Sequence, residues 1–582
     1  MTRLLITTAL ENTWENDKNL HFTFLGEWCK KYSRKHKWER LKSDVITYHW
    51  DDRIKLKKDH DYLFKVYEYA IEIIGQKLNE IHDTSENNKH WRIILGPWLI
   101  SYLPIIFDRW ETLRIAMDRY NEPYSTIRLK FNKNLLIPEN YNQFVNFFQT
   151  DLWNYNIYLR ILEFKYIDKV SFIEKDLDIE VEKELNLSDN KAQSFKFRLL
   201  VSFEKLINIL NKKQSFIFYH SYFSFKRLIL LNLKLFQIPR RYSKTFNLKI
   251  SKEKINLNFR EISLSHRNDD DFETFFFSNI MKDIPLAYLE SYEYINTFSN
   301  KISLNPSTII TANAHWGDEA FKFWISKKIK EGKKLIICQH GGSLPPLFDT
   351  FQHDEAISDL YVTWFKPFHS KHRQLTPNKI NNQKESSKKK YCVVIGLEST
   401  RYSHRATAYA IGNQTIQFVE HSIKFYKNLN AKVQFLFKLK PYFNMGIGTS
   451  QMYENALGKD KLFLDISFYK VINKSKLIVC TYPNTTFSEA MASGVPTILL
   501  YIPKYFETVP EADELINILK KANIVFNDPD KAAAHVNMIW DDVDAWWNDE
   551  NVIKAKKIFF ETAYNIKRNW LTEWKSFLHN PQ

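Results

Sequence analysis

At 582 residues the chain is too long for one hydrophobic core, so two domains with appended helices are expected. With 44% hydrophobic and 26% charged residues it cannot be a disordered or fibrous protein. A formal charge of +16 favours anionic partners: phosphorylated donors, acidic glycans or a membrane's cytoplasmic face.

In chain order, Leu4 to Thr8 reads as a first strand, its apolar run too short for a signal peptide. It enters a polar turn at Glu11. Leu20 to Leu25 ends at Gly26-Glu27-Trp28, and Val45 to Tyr48 runs into His49-Trp50-Asp51-Asp52-Arg53. Three- and four-residue spacing of apolar side chains predicts a helix from about Lys57 to His82. Ile93 to Phe107 is the most membrane-like window, but it holds Pro97 and Pro104 and is too short to span. Residues 110–300 read as a helical insertion, aromatic-rich to about 235 and a poorly patterned, charged connection after 240.

Ile309 to Thr311 and Leu335 to Cys338 restore the strand rhythm around a helix near Asp318 to Glu331. Thr376 to Lys390 is polar and without apolar period, a linker. Strands are then expected at Tyr391–Leu397, Val433–Lys438, Leu477–Thr481, Thr497–Tyr501 and Ile524–Phe526, and helix from about Asp544 to Leu578. Strands alternating with helices argue for an α/β protein with parallel sheets. The domain plan is therefore 1–375 as an amino-terminal Rossmann-like acceptor-side domain and 376–390 as linker. Residues 391–545 form a nucleotide-binding Rossmann-like domain, and 546–582 a helix crossing back. Cys29, Cys338, Cys392 and Cys480 are scattered, as buried free thiols of a reducing cytoplasm are. No Cys/His cluster suggests a metal, and no arginine-rich run or RNA-binding signature suggests nucleic acid.

The strongest chemical signal is Thr481-Tyr-Pro-Asn-Thr-Thr-Phe-Ser-Glu489, a polar turn between a buried strand and a short helix ended by Gly494. Asn484, Thr485, Thr486 and Ser488 crowd one helix start, where free N–H groups and the helix dipole favour phosphate. Thr486 and Glu489 also have capping-box spacing, and Glu489 is a candidate ribose contact. Gln339-His340-Gly341-Gly342 follows another strand. Its glycines allow close backbone approach to a ligand, and His340 suits proton transfer. Lys438 and Lys440 share a strand face, and Arg401 follows the strand Tyr391–Leu397; all three could neutralise phosphate. Glu11, Glu27 and Asp51 each follow an amino-terminal strand and are candidate general bases, Glu27 slightly first.

Six segments carry a family resemblance: Leu25-Gly-Glu-Trp-Cys29, Tyr48-His-Trp-Asp-Asp-Arg53, Gly96-Pro-Trp98, Phe107-Asp-Arg-Trp-Glu111, Gln339-His-Gly-Gly342 and the 480–497 stretch. Together they resemble transferases of bacterial O-antigen and surface-polysaccharide loci, over most of the chain. More distantly, the carboxyl-terminal half is similar to GT-B glycosyltransferases, including sialyl-, Kdo- and polyol-phosphate transferases. That resemblance implies two Rossmann-type domains facing a cleft, with donor phosphate on Thr485, Thr486 and Ser488. Lys440-Pro441 stands where sialyl- and Kdo-type enzymes have His-Pro.

The resulting expectation is a metal-independent GT-B glycosyltransferase of surface-polysaccharide synthesis, cytoplasmic or peripheral at the inner membrane. Its donor would be a CMP-nonulosonic acid (sialic, pseudaminic or Kdo type) and its acceptor a glycan or lipid-linked glycan. A CDP-polyol phosphotransferase, a UDP- or GDP-hexose transferase and a non-enzymatic glycan-binding assembly protein are the alternatives.

Overall fold

The computed structural model describes residues 3–14, 20–120, 122–177, 214–240, 248–266, 270–342, 344–380 and 389–580. The first sheet comprises β1 (Arg3–Ile6), β2 (His21–Phe24), β3 (Ser43–Val45), β4 (Tyr124–Lys130) and β5 (Val170–Asp176). The second comprises β6 (Phe216–Tyr219), β7 (Thr308–Thr311), β8 (Lys334–Cys338), β9 (Leu360–Thr363) and β10 (His372–Gln374). The third comprises β11 (Tyr391–Ile395), β12 (Phe437–Lys440), β13 (Ser475–Cys480), β14 (Thr497–Leu500) and β15 (Val525–Phe526). Their orders are β3-β2-β1-β4-β5, β10-β9-β8-β7-β6 and β12-β11-β13-β14-β15, and every pairing within them is parallel. Helices cover them, as parallel sheets require.

The α/β class with parallel Rossmann-type sheets holds. The plan of one amino-terminal sheet does not: residues 1–375 carry two. The helical insertion expected over 110–300 is also corrected, because β4, β5 and β6 lie inside it. In β4 the alternation of buried Ile127 and Leu129 with more exposed Arg128 and Lys130 is a strand signature. The charged stretch after 240 holds the helices Asp271–Asp283, capped by Asp270, and Tyr292–Asn300. The strand expected over Val433–Lys438 starts at Phe437 instead. Asn430 caps a short helix, Ala431–Phe435, by accepting from Val433 N.

Thr376 and Asn378, placed in the linker, are buried. Thr376 N and Oγ1 both donate to Glu573, and Asn378 Nδ2 donates to Ser221 O. Residues 381–388 of that linker lie outside the described residues.

The window Ile93–Phe107 lies inside the helix Asn88–Arg119, buried against the helix Arg53–His82 and the first sheet. Among the described residues no helix is long and apolar enough to cross a membrane. The last segment is two helices: Glu550–Ala563 packs Phe559 into the third sheet's core, and Trp570–His579 packs Trp574, Phe577 and Leu578 beside Phe216 and Phe218 of the second. All four cysteines are free and buried.

Candidate functional site

In parallel sheets ligands gather at strand carboxyl ends, above all where the strand order reverses. The third sheet reverses at β11, which has β12 on one side and β13 on the other. The carboxyl ends of all three sheets meet the segment that follows β11, Leu397 to Gln414, which runs without helix or strand as far as Ile411.

The two polar corners singled out from sequence touch each other. Gly342 N donates to Thr485 Oγ1 at 2.6 Å, joining the end of β8 to the end of β13. Gly341 is glycine because of that approach: a Cβ there would lie 2.7 Å from the same hydroxyl. Gly342 adopts φ +82°, the left-handed region. The Gln339 side chain accepts from Trp364 N and Thr363 Oγ1 and donates to Gly341 O and Gly342 O, so it shapes the corner. Gln339, Gly341, Gly342 and Thr485 therefore build an interlobe contact.

The helix Thr485–Ala492 starts at Asn484, whose side chain does not cap it, so the Thr486–Glu489 capping box is not formed. Thr486 Oγ1 instead bonds Tyr482 Oη at 2.8 Å. Glu489 pairs with Lys379 at 2.9 Å. Ser488 is fully buried, its hydroxyl without a partner among the described residues. Gly494 ends the helix at φ +75°. Lys438 donates to Asp460 O, and burial holds the Lys440 ammonium below its ordinary pKa, with Asp465 opposing. Neither lysine lines a cavity described below.

A cavity of about 250 Å³ opens at the switch point. It is walled by Leu397 to Thr400, Ser403 to Arg405, Thr407, Tyr409 to Gly412, Tyr442, Met445, Asn484 and Phe506, and closed across the cleft by Asp349. Buried atoms on this wall without a hydrogen-bond partner among the described residues include Asp349 Oδ1, Arg405 Nε, Thr407 Oγ1 and Asn484 Oδ1. Buried polar atoms cost free energy unless bonded, so this ring is built for a polar occupant. Glu398 is already committed, accepting from the backbone N–H groups of Met445, Ile447, Gly448 and Thr449. Asp349, Arg405 and Thr407 were not singled out from sequence. The sequence signal for Arg405 and Thr407 is the hydroxyl- and cation-rich run after β11, in which Arg401 and Arg405 are equivalent by chemistry.

Arg401 is not free to bind phosphate. It donates to Trp28 O at 2.5 Å and Asp151 Oδ1 at 2.8 Å. Burial works against its charge, but Tyr402 and Asp151 outweigh it and hold the guanidinium protonated.

A larger cavity, about 410 Å³, lies between the first sheet and the same segment, sharing Ser403, Ile411 and Gly412 as a wall with the first. It contains Glu27, Trp28, Tyr48 and Asp51. Asp51 Oδ1 accepts from Gln414 Nε2 at 2.9 Å, and Glu27 is half exposed at 3.5 Å from Lys30. Glu11 lines neither cavity; Arg34 and Lys37 claim its carboxylate.

His340 is exposed and lines neither cavity, its ring 6.1 Å from that of Tyr222. Desolvation there holds its pKa below 6.5; Asp354 opposes this, while His315, Arg405 and Lys379 add to it. The imidazole is therefore neutral at neutral pH and can accept a proton. Among the described residues no group of three or more His, Cys, Asp or Glu is placed to hold a metal ion.

The sequence matches the family described as LIC12162 family transferase over residues 3–578. No curated protein matches it. Similar solved structures include TarM, at 12% identity and a TM-score of 0.31, covering 47% of this chain and 54% of that one. The chain thus spans about half of TarM's length. An MnaA–UDP co-structure from S. aureus has 10% identity and a TM-score of 0.37, covering 63% and 96%. MurG of Acinetobacter baumannii has 9% identity and a TM-score of 0.28, covering 50% and 77%. Likeness at these scores carries no functional argument.

Proposed function

Because the chain belongs to the LIC12162 family of transferases, we propose that it is a glycosyltransferase that takes its sugar from a nucleotide-activated donor held in the switch-point cavity. The observation that carries this is the ring of unpartnered buried polar atoms around that cavity, Asp349 Oδ1, Arg405 Nε, Thr407 Oγ1 and Asn484 Oδ1 among them. Arg405 is the cation for the donor phosphate, and Asp349 and Asn484 supply acceptor oxygens for ribose or sugar hydroxyls.

In this reading His340 takes the proton of the acceptor hydroxyl. The acceptor oxygen then bonds the anomeric carbon as the carbon–oxygen bond to phosphate breaks, and the electron pair leaves on the nucleotide. Arg405 stabilises the charge that develops there. Metal is not needed in this scheme, and turnover is expected to survive a chelator. The donor is a CMP-nonulosonic acid and the acceptor a surface glycan or its lipid-linked precursor, at the cytoplasmic face of the inner membrane. The net charge of +16 supports an anionic donor of this kind. A second assignment of the base, to Asp51, is supported by its place in the adjoining 410 Å³ cavity.

The test is a thermal-shift panel of CMP, CDP, UDP and GDP on the wild type and on Arg405→Leu. One nucleotide should stabilise the wild type by about 3 kcal/mol at a hundredfold excess over its Kd, and the variant should lose that shift. No shift with any nucleotide, or a shift unchanged in the variant, overturns the assignment. His340→Gln and Asp51→Asn, each retaining the nucleotide shift, then identify the base by which one loses turnover.

A further inference from the structure

The helix Phe225–Lys234 carries apolar side chains on its inner and its outer side, the outer ones beside Lys226 and Lys234. On the inner side Leu228, Leu231 and Leu235 pack against Trp574, Phe577 and Leu578. Its outer side carries Phe225, Leu230 and Leu233, all exposed, and is continued by Phe236, 90% exposed. Tyr222 before the helix and Ile238 after it extend the same exposed run.

We infer that this face docks the chain onto an anionic lipid bilayer. The charge pattern selects that occupant. Exposed Lys226 and Lys234 flank the apolar side chains, and Lys575 lies 5.0 Å from the Phe236 ring. Between Glu204 and Glu253 the sequence contains no Asp or Glu, so nothing on this stretch repels phosphate headgroups. Large apolar side chains bordered by lysines are what an interfacial helix presents when it lies in the headgroup layer. No described helix is long and apolar enough to cross a membrane, so the contact is with one surface.

Phe236 sits at φ +57°, a left-handed conformation that costs a bulky residue about 1–3 kcal/mol. Tyr222 at φ +62° does likewise. Tyr222 also links the face to the cleft: its ring lies 6.1 Å from His340, and its hydroxyl accepts from Asn313 Nδ2. A bilayer on this face would lie beside the His340 corner, where a lipid-linked acceptor would enter. The docking itself does not depend on the donor or on the reaction.

The experiment is co-sedimentation of the full chain with phosphatidylethanolamine–phosphatidylglycerol vesicles and with phosphatidylcholine vesicles. The wild type should partition onto the anionic vesicles and much less onto the zwitterionic ones. Leu233→Ser/Phe236→Ser should lower that partition at least about tenfold. Lys226→Glu/Lys234→Glu should lower it by roughly fivefold or more per lysine. Both double variants replace exposed side chains and should keep the wild-type Tm. Equal binding to both lipids, unchanged binding by either variant, or no binding by the wild type would overturn the inference. So would a dimer in sedimentation velocity that Leu233→Ser/Phe236→Ser abolishes without any vesicle binding.

Discussion

Replacing Gly341 with alanine tests the contact between the two corners. The new Cβ would lie 2.7 Å from Thr485 Oγ1 but 3.9 Å from Thr485 Cβ, and no other atom lies within 4 Å. The first distance is forbidden and the second is ordinary contact. Gly341 is not among the positive-φ glycines, so alanine meets no backbone penalty there. Gly341→Ala must therefore displace the Thr485 hydroxyl, losing the Gly342 N–H bond and adding strain, together roughly 2–4 kcal/mol. Thr485→Ala loses only the bond, about 0.5–1.5 kcal/mol. In the double variant the alanine methyl has room, so it should be no less stable than Thr485→Ala. The cycle then shows a favourable coupling of about 2–4 kcal/mol, the whole cost of Gly341→Ala. Scanning calorimetry of the four proteins measures it, and amide exchange at Gly342 should quicken about two- to tenfold in Thr485→Ala. Additive losses in the double variant would refute the geometry. Retention of the nucleotide-induced shift by Thr485→Ala would also assign that threonine to the interlobe contact and not to phosphate.

Two further outcomes follow from buried histidines. Burial pushes His90 and His353 down to about 3, so below pH 6.5 the unfolded chain takes up protons that the fold excludes. Stability present above pH 6.5 is then lost as pH falls, by about 1.4 kcal/mol per histidine per pH unit. Burial raises Asp318 to about 6, which works in the opposite sense from there down to 3.8. His404 and His535, pushed down by burial to about 3 and about 4, add to the loss. Calorimetric Tm should therefore fall progressively from pH 6.5 toward pH 4, and a Tm flat down to pH 5 would refute it. Gly96→Ala places a Cβ 2.5 Å from His353 Cε1 inside a packed helix contact and should cost about 1–3 kcal/mol of stability, read as a lowered Tm. An unchanged Tm would mean the helix yields.

The legible parts of the sequence were those whose signal is local. Leu335–Cys338 and Leu477–Cys480 are short apolar runs closed by turn residues, and each is a central strand. Phe216–Tyr219 is equally apolar, but it is embedded among helical, aromatic-rich segments, where a four-residue run cannot be told from buried helix. The site divides in the same way. The Gly-Gly corner and the threonine turn were visible because strand, turn and helix start are adjacent in sequence. Their mutual contact joins residues more than a hundred positions apart, and no periodicity encodes it. Arg401 and Arg405 have the same chemistry and lie four positions apart. Only the fold shows that Asp151 claims the first and that the second faces the cavity.

The family-like segments acquire a physical meaning once the wall of that cavity is considered. From Leu397 to Ile411 the chain has no secondary structure to hold its shape, so its backbone groups must be satisfied from outside. The first lobe does much of this. Arg109 donates to Ser403 O, and Arg53 reaches Thr407 O and Tyr409 O while forming a two-pronged pair with Glu507. Gln414 in turn donates to Trp50 O. Asp108, buried, anchors Arg109 and also accepts from Tyr48 and His49. Breaking such a buried, paired group typically costs 3–5 kcal/mol, more than a surface contact could. Tyr48-His-Trp-Asp-Asp-Arg53 and Phe107-Asp-Arg109 thus act on the cavity through the loop that walls it, and the additional sheet gives those residues a rigid base.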